Sequence, residues 1–177
     1  MLDSIFPGRV YDPDIGVEFL SRYNYPDEVK MLLAMYGGSF VSDGYVYPVI
    51  EVTPRTDDNG FNDLSYLFDP YDNVGGQFSI ISAVDSYFDM WDGMFLPFGD
   101  TGYGDILFVG TTGELKGKIY YWCHDDVYDA DGHDKLYLVA NSLEDFIKSF
   151  IIQVDDEVEN FDVSKVTVSM SDDMWRN

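Results

Sequence analysis

Between residues 96 and 141 the chain repeatedly switches from an apolar run to a tight turn marked by glycine or aspartate, and this punctuation constrains the fold more than any other feature. LPFGDTGYGDILFVG (96–110) passes through Gly99, Asp100, Gly102, Gly104 and Asp105 into a strand over 105–109. TTGELKGK (111–118) joins it to IYYWCHD (119–125), and DDVYDADGHD (125–134) leads on to KLYLVAN (135–141). Strands that follow one another through short turns pair antiparallel, so the region reads as a three-stranded meander. A period of two puts Tyr120, Trp122 and His124 on one side of the middle strand and Ile119, Tyr121 and Cys123 on the other. Gly102 and Gly104 bracket Tyr103 where the backbone takes positive φ or approaches a neighbour closely. Gly99, Gly102 and Gly104 are therefore expected to shape the way into the strand, with Asp100 capping nearby amides.

The flanks supply helices. In YPDEVKMLLAMYGG (25–38), Pro26, Asp27 and Glu28 suit a first turn, Val29, Leu32, Leu33 and Tyr36 recur at helical spacing, and Gly37 and Gly38 stop the run. Phe19, Leu20 and Tyr23 suggest an earlier short helix. SDGYVYPVIEVTP (42–54) has strand composition, and Pro48 points to an edge position or a bulge. The stretch from Arg55 to Gly76 is rich in Asp, Asn and Gly; it is the longest candidate for a mobile surface segment, with a short ordered insert around 64–68. FSIISAVDSYFDMW (78–91) is predicted as a helix with Ile81, Val84, Phe88 and Trp91 inward and Asp85, Asp89 and Asp92 outward. Ser142 caps a helix in SLEDFIKSFIIQ, with Leu143, Phe146, Ile147, Phe150 and Ile151 as its buried stripe. The order of elements favours an α+β domain with the helices gathered to one side of the sheet. One domain is expected over 1–152. An acidic extension over 153–177 follows, in which VSKVTVSM (163–170) could add one more strand.

Charge narrows the function. Asp and Glu number 33 against 10 Lys and Arg, a formal net of -23, while 17% of residues are aromatic. The aromatic content supports a folded core, and the charge repels nucleic acid and anionic lipid; it either selects a basic protein partner or serves only to keep the protein soluble or suited to its cellular setting. Cys123 is the sole cysteine, so no intrachain disulfide forms, and it is expected in the core. MLDSIFPGRV matches neither a signal peptide nor a membrane anchor, which points to the cytoplasm.

Catalytic patterns are weak. GDTGYGD lacks the Lys and Ser or Thr of a nucleotide-triphosphate loop and precedes a strand, whereas a dinucleotide cradle follows one. His124, Asp125 and Asp126 with His133 and Asp134 could in principle ligate a metal, but a strand-end histidine and a solvated loop histidine account for the same residues. Asp100 and Asp105 could bind calcium or act as an acid and base pair; backbone capping is the simpler role for Asp100. Tyr120, Trp122 and Tyr137 fit either a sheet face or an exposed cleft. No metal, cofactor or catalytic residue is expected.

MFLPFGDTGYGDILFVG, GKIYYWCHD and LYLVANSLEDFIKSF, together with the early helix YNYPDEVKMLLAMYGG, resemble the SUKH superfamily, also called the Smi and Knr family, across about residues 15–152. The features that match are Leu96, Pro97, Gly99, Asp100, Gly104, Asp105, Tyr120, Trp122, His124, Asp125, Ser142, Leu143, Phe146 and Ile147. The resemblance implies an α+β fold, with an antiparallel or mixed sheet and helices packed around it, and no catalysis. Many bacterial relatives are immunity proteins that bind and block a cognate toxin, whereas fungal relatives are scaffolds or regulators. With the acidic surface, this predicts a basic toxin domain, such as a nuclease, as partner; a regulatory protein-interaction module is the alternative. The expected partner-binding residues are Asp92, Asp100, Tyr103, Asp105, Tyr120, Trp122, His124, Asp125 and Asp126. The oligomeric state, monomer or homodimer, is left open.

Overall fold

In the computed structural model, which describes residues 2–7, 13–71, 78–125 and 134–153, the meander forms as three consecutive strands, the last of them an edge, of a five-stranded antiparallel sheet. Its order is β3 (Tyr66–Leu67), β4 (Phe95–Asp100), β5 (Ile106–Gly110), β6 (Ile119–Trp122) and β7 (Leu136–Ala140). A second antiparallel sheet has β1 (Tyr45–Pro48) in the middle, flanked by β2 (Phe61–Asp63) and β8 (Ile151–Ile152). The helices are α1 (Leu2–Ile5), α2 (Pro13–Leu20), α3 (Asp27–Tyr36), α4 (Ile80–Tyr87) with a 3-10 turn over Phe88–Met90, and α5 (Leu143–Ser149). None of the described helices is long and apolar enough to cross a membrane. The chain is thus a single α+β domain. The acidic run and VSKVTVSM lie beyond residue 153, outside the described residues.

Alternation along β5 and β6 divides the core in two. Phe108 stacks edge-on against Tyr87 and Trp91 at ring distances of 5.6 and 5.0 Å, so α4 and the turn after it cover this face. On the opposite face Phe98 meets Phe146 of α5 at 6.1 Å, and Phe146 meets Tyr47 of the second sheet at 4.9 Å. Helices therefore pack around the large sheet on both faces rather than on one. Both faces of β5 are apolar, and an antiparallel strand with no polar face has to be covered twice. Burial of Ile119, Tyr121 and Cys123, with Tyr120 and Trp122 half-buried and His124 exposed, follows the expected alternation of β6.

Several local expectations are revised. Phe95–Asp100 is a full strand, although Pro97 lies within it; the register shifts between Pro97 and Gly99, and the proline sits beyond the reach of β3. That bulged position is where a strand tolerates a residue without an N–H. Strand β1 covers only part of 42–54 and is central rather than an edge. Pro48 is compatible with this because β8 pairs only with Tyr45 and Val46, leaving one side of Pro48 without a strand neighbour. The free edge of β7 is partly closed by Glu51, whose N–H donates to the Leu138 carbonyl at 3.0 Å and whose carboxylate accepts from the Leu138 N–H at 2.7 Å. Such cover limits edge-to-edge association.

Within the stretch 55–76 the expected ordered insert around 64–68 forms and joins the core through Leu64, Tyr66, Leu67 and Phe68; residues 72–77 lie outside the described residues. Phe88, assigned inward, is exposed because the helix tightens into a 3-10 turn there. The last helix stops at Ser149, and Ile151, assigned to its buried stripe, is exposed in β8. Other signals read directly. Ser142 Oγ accepts from the Asp145 N–H at 3.0 Å, Gly38 ends α3 at φ 78°, Asp85, Asp89 and Asp92 are exposed, and Cys123 is buried.

Candidate functional site

The loop between β4 and β5 is built by its own backbone chemistry. Thr101 N–H donates to the Asp105 carbonyl at 3.1 Å, and the Gly102 N–H donates to the Asp100 carboxylate, the expected cap. Gly102 and Gly104 have φ of 86° and 84°, a region that a side chain makes costly. Gly99 is required for space instead. A Cβ there would come within 2.8 Å of the Leu64 side chain and 3.1 Å of the Tyr66 carbonyl. Asp100 opposes Ile106 across the hairpin, so its side chain follows the α4 face, and Asp105, one residue earlier than Ile106, turns to the other.

Asp105 is fully buried and completely engaged. Its Oδ1 accepts from the His124 backbone N–H at 3.0 Å and lies 2.7 Å from His124 Nδ1; its Oδ2 accepts from the Tyr121 hydroxyl and from Arg55 Nε at 3.1 Å. Burial alone would raise its pKa, but the donors from Tyr121, His124 and Arg55 outweigh burial and hold the carboxyl below the usual carboxylate range. The same geometry pushes the Tyr121 phenol up, first through burial and then through its bond to Asp105. Arg55 extends the network outward, with Nη2 donating to Asp125 at 2.7 Å, while His124 Nε2 lies 3.1 Å from Asp125. Both nitrogens of His124 thus face carboxylates, and the cluster acts as a clamp tying the ends of β5 and β6 to the loop carrying Arg55.

Arg55 and Tyr121 were missed from sequence. Arg55 is held by Thr53, whose hydroxyl accepts from the Arg55 N–H at 3.2 Å and from Asn62 Nδ2 at 2.9 Å. The available hint was that Arg55 is the one Lys or Arg between Lys30 and Lys116.

Asp100 occupies a different setting. It ends β4 beside Tyr66, whose hydroxyl bonds to it, and a cleft of about 350 Å³ opens there between α4 and the sheet. Burial raises the Asp100 carboxyl above its ordinary range, the Gly102 amide and Tyr66 hydroxyl offsetting part of the effect. Tyr66 and Tyr87 phenols are pushed up by burial and then by the Asp100 charge.

Of the expected contact residues, Asp100, Tyr103, Asp105, His124 and Asp125 converge on the loop. Tyr103 is 61% exposed, with Arg55 5.8 Å from its ring centroid. Asp105 has no side-chain surface to offer a partner, because every donor of the clamp converges on it; its role is corrected to an internal one. Tyr120 and Trp122 lie half-buried on the α4 face, packed against Phe95 at 5.0 Å and Tyr87 at 5.4 Å, with Trp122 Nε1 donating to Asp134 at 3.3 Å. Asp92 is exposed at φ 51°, before the opposite end of β4 from Asp100. Asp126 and His133 lie outside the described residues. Among the described residues no group of three or more His, Cys, Asp and Glu is placed to hold a metal.

Comparison with known proteins places this architecture. The model of the SMI1/KNR4 family (SUKH-1) matches residues 17–149, most of the chain, and the protein belongs to that family. No curated protein matches it.

Proposed function

We propose that this SMI1/KNR4-family domain is a non-catalytic immunity protein that acts in the cytoplasm by binding a basic toxin domain, such as a nuclease, through its acidic surface. The observation that carries the reading is a net charge of -23 on a chain with a well-formed aromatic core. Acid on this scale selects a cationic partner and accelerates encounter with it, and an inhibitor of that charge could cover the phosphate path of a nuclease. Exposed Tyr103 offers an aromatic contact of the kind enriched at interface hot spots, on the loop that follows half-buried Asp100. The clamp supports a binding role, since His124 has both ring nitrogens engaged and the phenol beside it is held protonated.

The test is a tagged pull-down from the native cells, together with co-expression of the protein encoded next to this one, read by mass spectrometry. A stoichiometric basic domain whose association rate falls steeply as salt rises is the expected result. Recovery of cell-wall or other regulatory proteins alone would replace immunity with a scaffold role. A toxin that binds at a rate indifferent to salt would remove electrostatic steering from the account.

A further inference from the structure

We infer that the cleft between α4 and the β3–β5 part of the sheet is a receptor for one cationic side chain, an arginine or lysine, presented by a protein partner. This rests on the protein-partner reading above and goes beyond it by naming the pocket and the group that fills it. At about 350 Å³ the cleft is at the small end of ligand sites, suited to a side chain rather than a cofactor. Its lining divides by chemistry. Phe68, Ala83 and Ile106 are buried or nearly so and offer apolar surface for an aliphatic stem. Tyr66 and Tyr87 add aromatic lining, and Asp100, at the loop end, is the one carboxylate among the described lining residues. An arginine places methylenes on apolar surface while its head meets a carboxylate and an aromatic ring, so both halves of the cleft are used.

The charge balance around the cleft favours a cation supplied from outside. Residues 56–114, which include β3, α4, β4 and β5, contain no Lys, Arg or His. Asp100 forms no ion pair among the described residues, whereas Asp105, five positions on, has Arg55 and His124. Its hydrogen bonds come from neutral groups, the Gly102 amide and the Tyr66 hydroxyl, which leave lone pairs unused on a carboxylate that can accept a bidentate fork. Gly102 and Gly104 on the rim present backbone without side chains. Ser82 and Ser86 form the exposed helix side, where Ser86 already donates to the Ser82 carbonyl at 2.7 Å and keeps its oxygen available as an acceptor. Asp85 lies on the same exposed stretch of α4 and adds negative potential without a competing cation.

The experiment is a two-dimensional amide NMR titration of the full chain with N-acetylarginine amide, using N-acetylcitrulline amide as the neutral isostere. Saturable shifts confined to Ser82, Ser86, Gly102 and Gly104 with arginine, absent with citrulline, are expected. Asp100→Asn, which keeps an oxygen acceptor for the Gly102 amide, should weaken apparent affinity about tenfold, as loss of a charged hydrogen bond does. Ser86→Leu, at an exposed position, should block the cleft while leaving the remaining spectrum unchanged. Shifts spread over the acidic surface and indifferent to both variants, or no saturable shift in the unmodified protein, would overturn the pocket. Localised arginine binding in a protein that captures no basic partner would leave the pocket standing and remove the immunity reading; a captured toxin without localised shifts would do the reverse.

Discussion

Asp100 ends β4 and Asp105 closes the hairpin loop 101–105 that follows it, yet they face opposite sides of the sheet and meet opposite electrical surroundings. Asp105 is enclosed by Arg55, His124 and Tyr121, whose combined donors exceed the cost of burying its charge. Asp100 is half-buried beside neutral donors, and the cost of burial dominates. The difference teaches that a carboxylate's role follows from who supplies its counter-charge. Where the fold supplies it, the group holds the fold together; where none of the described residues supplies it, as at Asp100, the group is open to the cation proposed above. Removing one partner of a satisfied buried ion pair is strongly destabilising, whereas altering an unmatched carboxylate at a cleft changes binding more than stability.

The largest expected effect is on the matched side. Asp105→Ala should cost about 2–4 kcal/mol in urea unfolding, because the Tyr121 hydroxyl and the His124 N–H lose their acceptor, while Arg55 keeps Asp125. A loss no larger than that of a surface change would break the comparison. Tyr121→Phe, which removes one neutral donor from the same carboxylate, should cost about 1–3 kcal/mol. Gly104→Ala should cost about 1–2 kcal/mol through its positive φ alone, since a Cβ there would only touch the His124 ring at 3.6 Å. Unchanged stability would show that the loop has another conformation open to it.

Acid titration sharpens the contrast. The folded pKa of Asp105 lies below its unfolded value near 4, so on acidification the unfolded chain binds the proton first. Its contribution is complete above the unfolded value and is lost as pH falls through the folded one. Asp105→Asn should flatten this acid limb in urea midpoints measured against pH. For Asp100 the sign reverses: its folded pKa is raised, so ionising it toward neutral pH subtracts from stability. The smallest effect is therefore Asp100→Asn, which should leave stability at neutral pH within about 0.5 kcal/mol or slightly raise it.

The parts of this site legible in sequence were those decided by neighbours along the chain. Gly102 and Gly104 announced positive φ, Asp100 its capping of an amide two residues on, and Ser142 a helix start, because each depends on geometry within one turn. Strand β4 was hidden by Pro97, whose missing N–H is harmless only once the bulge at Phe98 and the short reach of β3 are known. Phe88 and Ile151 fitted a helical stripe that the chain abandons, since the pattern shows where a helix could continue and the packing decides where it stops.

By itself the sequence determined an antiparallel α+β domain, its helix and turn boundaries in outline, its acidity and its family resemblance, all of which follow from periodicity, backbone preference and composition. Only the tertiary structure decided that helices cover both faces of the sheet, that Arg55 reaches across 50 positions to Asp105, and that among the described residues no such cation pairs with Asp100. Coulomb energy depends on distance and burial rather than on separation along the chain, so two aspartates alike in sequence become alike or opposite only when the chain has folded.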